Sequence, residues 1–348
     1  MKRRLPAEWE EQDGVLIAWP HESTDWHPHL DVVEPVFTEI VARISHREMA
    51  LVVAPDPERV RKQLVAAGVE LEKVRLYRLD TNDTWARDFG PVTVEEDGQP
   101  VLLDFGFNGW GLKFPAFLDN QATRALHQAG AFGAAPLETP GVILEGGSIE
   151  SDGSGTILTT AECLLNPNRN PHLSRQGIES LLSGILGAEH FLWLENGYLA
   201  GDDTDSHIDT LARLCPDDTI AYVRCDDAAD EHYLALLAME KELRRFRTRG
   251  GKPYRLIPLP WPTPKFDGEQ RLPATYANFL VINGAVLVPT YRDRKDTSAL
   301  KAVGEAFPGR EVIGVDCLPL ILQHGSLHCV TMQMPRGVLA LPDEGRKA

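Results

Sequence analysis

One cysteine near the C-terminus, Cys329, stands in a setting that suits a nucleophile. It follows the segment 325–328, where glycine and small polar residues let the backbone bend and the thiol reach a cavity. His328 is adjacent, but neighbouring side chains on a strand point to opposite faces, so we interpret it as structural. The other four cysteines, 163, 215, 225 and 317, lie in or beside apolar runs and are typical of core thiols.

A second segment, 202–210, holds four aspartates and one histidine within nine residues. On a strand, the i, i+2 spacing would place His207 and Asp209 on one face. His207 could then shuttle protons while Asp209 accepts the planar fork of N–H donors that a guanidinium presents. Two other interpretations stay open, a solvated acidic loop and a site for a divalent cation.

Two further carboxylates complete the set. Asp88 follows Trp85 in a segment that ends with glycine and proline, and an aromatic face beside an acid suits a delocalised cation. Glu145 ends an apolar run before two glycines, where it could orient a histidine. A thiol, an imidazole and several acids together predict attack on the carbon of a cationic group, as in hydrolysis of a guanidine.

Composition limits the alternatives. The chain has 348 residues, of which 43% are hydrophobic and 25% charged, as in a soluble globular protein. The net charge of -16 argues against a nucleic-acid binder and is compatible with a small cationic substrate. The apolar stretches are too short to predict a signal peptide or a membrane-spanning helix. Five scattered cysteines without metal-clip spacing favour free thiols in the cytoplasm.

The elements that must position these residues are predicted to be short buried strands and amphipathic helices. Predicted strands are 14–19, 49–53, 100–104, 155–160, 219–223 and 285–289, and predicted helices are 33–47, 56–68, 120–130, 172–186, 227–246 and 297–306. The order strand–strand–helix–strand recurs, which favours a pseudo-symmetric arrangement. The proline-rich piece 258–264 is expected to be an ordered surface loop. We predict one compact α/β domain over residues 1–348.

These residues also resemble a known family, the agmatine deiminases grouped with the bacterial peptidylarginine deiminases in the guanidine-modifying superfamily. The matching stretches are 5–9, 19–20, 85–88, 144–148, 164–170, 207–209, 277–279 and 328–331. They cover nearly the whole chain, and their combination is specific although each piece alone is weak.

The resemblance implies a pentein fold, a five-bladed α/β propeller of ββαβ units around a pseudo-fivefold axis, with the active site in the central channel. It implies that Cys329 is the nucleophile, His207 the proton shuttle, Glu145 the acid that orients this histidine, and Asp88 and Asp209 the clamp for the guanidinium. It further implies that no metal or cofactor is needed. The expected reaction converts agmatine to N-carbamoylputrescine and ammonia through a covalent thiouronium, and a homo-oligomer is left open.

Three alternatives remain beside this expectation. The substrate could be arginine, free or in a peptide; the segment 202–209 could serve a metal-dependent hydrolase; or the chain could be a non-catalytic binding module. The chain also departs from the family where glycines are usual, at Ser206 and in the run that begins with His324. These changes bear on the walls around the substrate tail, where Trp85 and Trp110 are the expected binding residues.

Overall fold

The computed structural model describes residues 3–339 of the chain. Its strands are β1 (Arg3–Arg4), β2 (Gln12–Ala18), β3 (Met49–Ala54), β4 (Val74–Arg78), β5 (Val92–Glu96), β6 (Gln99–Leu103), β7 (Leu137–Glu138), β8 (Ile149–Ser151), β9 (Thr156–Thr160), β10 (His190–Leu194), β11 (Ala212–Cys215), β12 (Thr219–Arg224), β13 (Arg255–Pro260), β14 (Lys265–Asp267), β15 (Gln270–Leu272), β16 (Leu280–Ile282), β17 (Ala285–Thr290), β18 (Glu311–Asp316) and β19 (Thr331–Pro335).

The helices lie between these strands. They are α1 (Leu30–Ser45), α2 (Pro57–Ala66), α3 (Ala86–Phe89), α4 (Gly109–Leu112), α5 (Asp119–Gln128), α6 (Ala161–Leu164), α7 (Arg175–Leu186), α8 (Tyr233–Leu243) and α9 (Asp296–Ala306). Short 3-10 helices cover His27–His29, Gly146–Ser148, Ile208–Thr210 and Leu320–Gln323. Among residues 3–339, no helix has the length and apolar character needed to cross a bilayer.

Five sheets in the described part of the chain share one order of connections. In each, two strands pair antiparallel, a helix follows, and the next strand joins the second one in parallel. The five runs are β5-β6-α5-β7, β8-β9-α7-β10, β11-β12-α8-β13, β16-β17-α9-β18 and β19-β2-α1-β3. The predicted α/β class is confirmed, and the strand–strand–helix–strand order is observed.

The last of these runs joins the two ends of the described chain in one sheet. Strand β19 pairs antiparallel with β2, and Thr331 lies opposite Ile17. Cys329 comes directly before β19, so this pairing fixes the cysteine beside α3, where the backbone N–H of Arg87 donates to the Cys329 carbonyl at 3.1 Å. Sequence-distant segments therefore meet because the sheet closes across the chain ends.

The hydrophobic core surrounds these central strands. β2 and β3 are buried along their whole length, as expected for strands covered on both faces. Helix α1 places a stripe of buried apolar residues, including Phe37, Ile40 and Ile44, at the three- and four-residue spacing of a core-facing helix. Burial of each such side chain contributes about 1.5–3 kcal/mol.

All six predicted strands and all six predicted helices are present, and their ends agree within three residues except that α8 begins at Tyr233, six residues after the predicted start at 227. One interpretation is wrong: the first part of the proline-rich piece is not a loop, because β13 ends at Pro260 and includes Pro258. β13 lies at the edge of its sheet, where a proline without an N–H donor is tolerated.

Candidate active site

Cys329 is buried and held by an asparagine that the sequence analysis did not single out. Asn278 Oδ1 accepts the backbone N–H of His328 at 2.9 Å and that of Cys329 at 3.3 Å, and the Cys329 thiol donates to the same oxygen at 3.4 Å. Burial, followed by the nearby charges of Asp209 and Asp88, raises the pKa of the Cys329 thiol well above its ordinary value. This cysteine is therefore a thiol until a cation lies beside it.

His207 lies next to Asp88 and Glu145 at the start of the 3-10 helix Ile208–Thr210. Its Nδ1 is 3.7 Å from Asp88 Oδ1, and its Nε2 is 4.0 Å from Glu145 Oε2 without a hydrogen-bond partner in the described chain. Burial lowers the pKa of His207 to about 3, although Asp209 acts in the opposite direction. The imidazole is therefore neutral and able to accept a proton.

Gly147 explains how these groups can approach each other. A Cβ atom at this position would lie 2.6 Å from His207 Nδ1, 2.9 Å from Asp88 Oδ1 and 3.2 Å from Asp209 Oδ2. Any side chain would displace the imidazole or a carboxylate, so glycine is required here. The backbone of Gly147 is therefore the point at which His207, Asp88 and Asp209 converge.

Asp88, on the short helix α3, is held by neutral donors. Its Oδ1 accepts the backbone N–H of Gly147 at 2.9 Å, and its Oδ2 accepts the Trp110 indole N–H at 2.9 Å. Burial raises the pKa of Asp88 to about 8, and the charge of Asp209 adds to this shift. Without a cation beside it, Asp88 is a neutral acid at pH 7.

Asp209 is held by a histidine. Its Oδ2 lies 2.7 Å from His328 Nδ1 and accepts Asn278 Nδ2 at 3.2 Å, while its buried Oδ1 has no hydrogen-bond partner in the described chain. Burial favours the neutral acid, but the hydrogen bond and charge of His328 outweigh it and lower the pKa of Asp209. This carboxylate is ionised and has one oxygen free.

The strand geometry predicted for His207 and Asp209 is wrong. The two residues flank Ile208 in a 3-10 turn, and the Thr210 hydroxyl closes the turn by donating to the His207 carbonyl at 2.8 Å. Both side chains nevertheless reach the backbone of Gly147, so the two predicted site residues are brought together by a turn instead of a pleat.

Glu145 is buried and paired with Arg169. Each of its oxygens accepts Arg169 Nε at 2.9 Å, and Arg169 Nη1 continues to Asp205 Oδ2 at 2.7 Å. Burial raises the pKa of Glu145 in spite of the Arg169 charge. Arg169 fixes this carboxylate, which faces His207 Nε2 at 4.0 Å without a hydrogen bond between them.

A pocket opens beside Cys329, and both predicted tryptophans line it. The lining residues are Asp25, Asp83, Trp85, Asp88, Trp110, Phe114, Asp202, Asp203, Thr204, Thr210, Gln323, His324, Gly325 and Cys329. Trp85 packs so closely on Gly325 that a Cβ there would lie 2.0 Å from the indole. Trp110 adopts a left-handed backbone conformation with φ of 54°, which directs its indole to Asp88. This hydrogen bond from Trp110 to Asp88 was not predicted.

The two departures from the family's glycines both fall at left-handed backbone positions. Ser206 has φ of 62° and His324 has φ of 68°, a region that favours glycine. Ser206 is held there by its own hydrogen bonds to Glu162 and Asp202, each of 2.8 Å. His324 Nδ1 lies 2.7 Å from the Gly201 carbonyl oxygen. The chain thus keeps a glycine-like backbone at both positions while adding a polar side chain.

The segment 202–209 does not converge on a cation site in the described structure. Asp202 accepts hydrogen bonds from Thr204 and Ser206, Asp205 pairs with Lys113 and Arg169, and Asp209 faces His328. Within residues 3–339 there are two groups in which three potential metal ligands lie close together. They are Glu145–Cys163–His207 and Glu8–Glu150–His328. In each group an arginine already pairs with the carboxylates, Arg169 in the first and Arg213 in the second.

Three site residues had no assigned role in the sequence analysis. Asn278 interrupts the apolar stretch after Tyr276, and a lone amide in a buried run is a usable signal. Arg169 and Asn278 both lie in stretches that resemble the family, 164–170 and 277–279, but the resemblance was not used to give either residue a role. His328 was interpreted as structural from its direction on a strand, yet it binds the site residue Asp209.

Comparison with known proteins places this geometry in a family. The Porphyromonas-type peptidyl-arginine deiminase family matches residues 4–335. Agmatine deiminase of Pseudomonas aeruginosa (strain LESB58) is 33% identical over 356 residues, covering 95% of each chain.

Two solved structures are also similar. A cysteine-to-serine variant of C. jejuni agmatine deiminase with substrate bound has a TM-score of 0.90 and 40% identity, and 97% of each chain is covered. A Porphyromonas gingivalis protein provisionally named an arginine deiminase has a TM-score of 0.91 and 50% identity, covering 97% of this chain and 100% of that one.

Proposed function

Because the chain belongs to the Porphyromonas-type peptidyl-arginine deiminase family, we propose that it hydrolyses agmatine to N-carbamoylputrescine and ammonia. The chain is an enzyme that cleaves a guanidino carbon–nitrogen bond, as its agmatine deiminase relatives indicate. The observation that carries the choice of substrate is the charge of the pocket lining. Besides Asp88, it contains Asp25, Asp83, Asp202 and Asp203, and among the described residues no lysine or arginine. Burial raises the pKa of Asp83 to about 7 and also raises that of Asp202, so these two acids favour a cation that draws them into the ionised form.

Agmatine carries a cation at each end, a guanidinium and a primary ammonium. The guanidinium enters toward Asp88, Asp209 and Cys329, and the ammonium stays near the four aspartates of the pocket wall. Free arginine would bring its α-carboxylate to these acids, and like charges at short range disfavour binding. Trp85 and Trp110 supply aromatic walls for the guanidinium and for the aliphatic chain that links it to the ammonium.

The first chemical step starts from a thiol and a neutral imidazole. As the guanidinium enters, Asp88 releases its proton to solvent, and the ionised Asp88 and Asp209 hold the guanidinium flat. The charge of the guanidinium stabilises the thiolate as the thiol proton passes from Cys329 to His207. Sγ attacks the guanidino carbon, and a C–S bond forms. His207 then returns this proton to the departing nitrogen, ammonia leaves, and a covalent thiouronium remains.

The second step consumes water. Neutral His207 takes a proton from a water molecule, whose oxygen attacks the same carbon. The C–S bond breaks, the hydroxyl proton of the adduct passes to Asp88 as the ureido product leaves, and the proton on His207 returns to the Cys329 thiolate. General acid–base help of this kind contributes about 10²–10⁴ in rate. Glu145, fixed by Arg169, limits the movement of His207 between these transfers.

The propeller arrangement is part of the same proposal. Five sheets with one connection order support five ββαβ units around a pseudo-fivefold axis, in a single catalytic domain whose predicted ends, 1–2 and 340–348, lie outside the described residues. The site residues come from segments between different sheets, which agrees with a central channel. Free cysteines and the charge of -16 support a cytoplasmic enzyme that binds neither nucleic acid nor membranes.

Arginine substrates form the second candidate, favoured by the family's name and by the similar Porphyromonas gingivalis protein. A peptide-bound arginine has no α-carboxylate and would meet less repulsion than free arginine. The wild type should be assayed for ureido product with agmatine, free arginine and a blocked arginine peptide. Faster turnover of agmatine than of the other two substrates supports the proposal. Faster turnover of the peptide would show that a peptide-bound arginine, not agmatine, is the substrate.

The same assay tests the nucleophile. Cys329→Ala should abolish turnover, whereas Cys225→Ala, which removes another buried thiol outside the pocket, should keep it. EDTA should have no effect on either protein. Wild-type rates in Cys329→Ala would rule out the covalent scheme, and loss of activity with EDTA would revive the metal-dependent alternative.

A further inference from the structure

Asp209 is connected to the N-terminal segment of the chain through His328. One ring nitrogen of His328, Nδ1, lies 2.7 Å from Asp209 Oδ2, and the other, Nε2, lies 2.7 Å from Glu8 Oε2. All three side chains are at least nine-tenths buried. An ionised carboxylate only accepts hydrogen bonds, so a ring placed between two of them is best satisfied with both nitrogens protonated.

The Glu8 carboxylate permits that charge beside an arginine. Arg213 Nη2 donates to the same Glu8 Oε2 at 2.6 Å and lies 3.1 Å from His328 Nε2. Two positive groups at this distance repel each other unless an anion lies between them. Without the charge of Glu8, Arg213 would disfavour the protonated imidazole.

Glu8 is itself fixed from a direction away from the substrate. Its Oε1 accepts the backbone N–H of Val281 at 2.6 Å, and its backbone carbonyl accepts Gln12 Nε2. Glu8 lines a second cavity that shares no lining residue with the pocket around Cys329. Glu8 therefore has no contact with the pocket, and its direct hydrogen-bonded connection to Asp209 runs through His328.

We propose that Glu8 and His328 are positioning residues that keep Asp209 ionised with its free oxygen directed at the guanidinium. The proposal rests on the proposed function, in which Asp209 binds that group. Asp209 Oδ1 is buried and has no partner in the described chain, while Oδ2 is occupied by His328 and Asn278. Because both partners bind Oδ2, Oδ1 remains for the substrate and the plane of the carboxylate is fixed.

Glu8→Gln tests the proposal with little change in shape, and Glu11→Gln is the matched control. Glu11 belongs to the same segment but pairs with Arg336 at the surface. Because a hydrogen bond to a charged group contributes about 1.5–3 kcal/mol, we expect KM to rise about ten-fold or more in Glu8→Gln, with a smaller change in kcat. Glu11→Gln should match the wild type.

The pH profile separates positioning from a general loss of structure. The charged groups around the Glu8–His328 pair are Asp209, Arg213, Arg87 and Glu150. If His328 loses its charge, Asp209 takes up a proton at higher pH than before. In Glu8→Gln the acid side of the kcat/KM profile should steepen from one proton to two, and unfolding measured in parallel would show whether stability alone has changed.

His328→Asn and His328→Gln separate two contributions of His328, its hydrogen bond to Asp209 and the charge of its ring. Asparagine can place an N–H near the position of Nδ1 and keep the bond to Asp209, while both substitutions remove the protonated ring. In a double-mutant cycle with Glu8→Gln, His328→Asn should show no additive effect, because Glu8 acts through the ring. Independent, additive effects would overturn the proposal.

A binding readout makes the result independent of the substrate assignment. Calorimetric titration of guanidinium ion into Cys329→Ala, which cannot react, should give a Kd about ten-fold lower than titration into the double variant Glu8→Gln/Cys329→Ala. Equal Kd values in this pair, together with equal KM in Glu8→Gln and the wild type, would overturn this proposal. Wild-type turnover of an arginine peptide instead of agmatine would overturn the assigned substrate and leave this result standing.

Discussion

The short helix that carries Asp88 and the 3-10 turn that carries Asp209 surround their carboxylates in opposite ways. Asp88 receives neutral donors, an indole and a backbone amide, and burial raises its pKa to about 8. Asp209 receives the ring of His328, and despite burial its pKa is lowered. The site therefore combines one neutral acid with one carboxylate, and a guanidinium must displace one proton to meet two negative charges.

Exchange of each acid for its amide gives the largest expected effect on this comparison. Asp209→Asn should lose at least about 10²-fold in kcat/KM at every pH, because it removes the one charge already present. Asp88→Asn should lose little at low pH, where Asp88 is neutral anyway, and progressively more as pH rises to about 8.

The measurement is kcat/KM for agmatine between pH 5 and pH 9. Glu48→Gln is the control, since Glu48 is another acid whose pKa is raised by burial, to about 7, but it lies outside the pocket. Equal losses for Asp88→Asn and Asp209→Asn at all pH values would show that the two acids share one protonation state.

The two acids should change the pH dependence of the free energy of unfolding in opposite directions. Asp88 ionises near its ordinary pKa in the unfolded chain and near 8 in the folded one, so wild-type stability falls with rising pH across that window by up to about 1.4 kcal/mol per pH unit. Asp88→Asn lacks this loss and should gain stability relative to the wild type from pH 5 to pH 8.

Asp209→Asn should behave in the reverse manner. Because the folded pKa of Asp209 is lowered, its contribution is fully present above the ordinary carboxyl pKa and is lost as pH falls below it. Denaturant unfolding of the wild type and both variants at several pH values measures these slopes. A deficit of Asp209→Asn that grows between pH 5 and pH 8 would contradict the assignment.

The smallest expected effect comes from the donor that Trp110 supplies to Asp88. Trp110→Phe keeps an aromatic wall but removes the N–H that stabilises the ionised acid, so kcat/KM should fall about ten-fold and its acid limb should move to higher pH. Trp193→Phe is the control, because that indole donates to Glu179 away from the pocket. An unshifted limb in Trp110→Phe would assign Trp110 to packing alone.

Much of the fold was predictable from apolar runs, and the reason is burial. Of the six predicted strands, five became β2, β6, β9, β12 and β17, which are the strands that make both the antiparallel and the parallel pairing in the five sheets. Such strands are covered by neighbours and carry continuous β-branched runs. Most of the edge strands are shorter or more polar, and β13 contains two prolines, so local pattern did not reveal them.

The candidate site was predicted unevenly for a similar reason. The identities of Cys329, His207, Asp88, Asp209 and Glu145 followed from residue types and from the family resemblance. In the structure Cys329 and Asp88 line one pocket, Asp88, His207 and Asp209 meet at the backbone of Gly147, and Glu145 faces His207. Their catalytic roles stay predictions that the substitutions above test. The turn geometry of His207 and Asp209 was predicted incorrectly because a spacing of two residues fits both a strand and a 3-10 turn.

The sequence by itself determined the chemical groups, the α/β class and the central strands, because residue type and apolar periodicity are local properties. The tertiary structure alone decided which acid is neutral and which is charged. That difference depends on the burial of Asp88, which outweighs its two donors, and on His328, which reaches Asp209 from a distant part of the chain. A pKa is set by burial and by the charges and donors nearby, and these are fixed only when the sheets close.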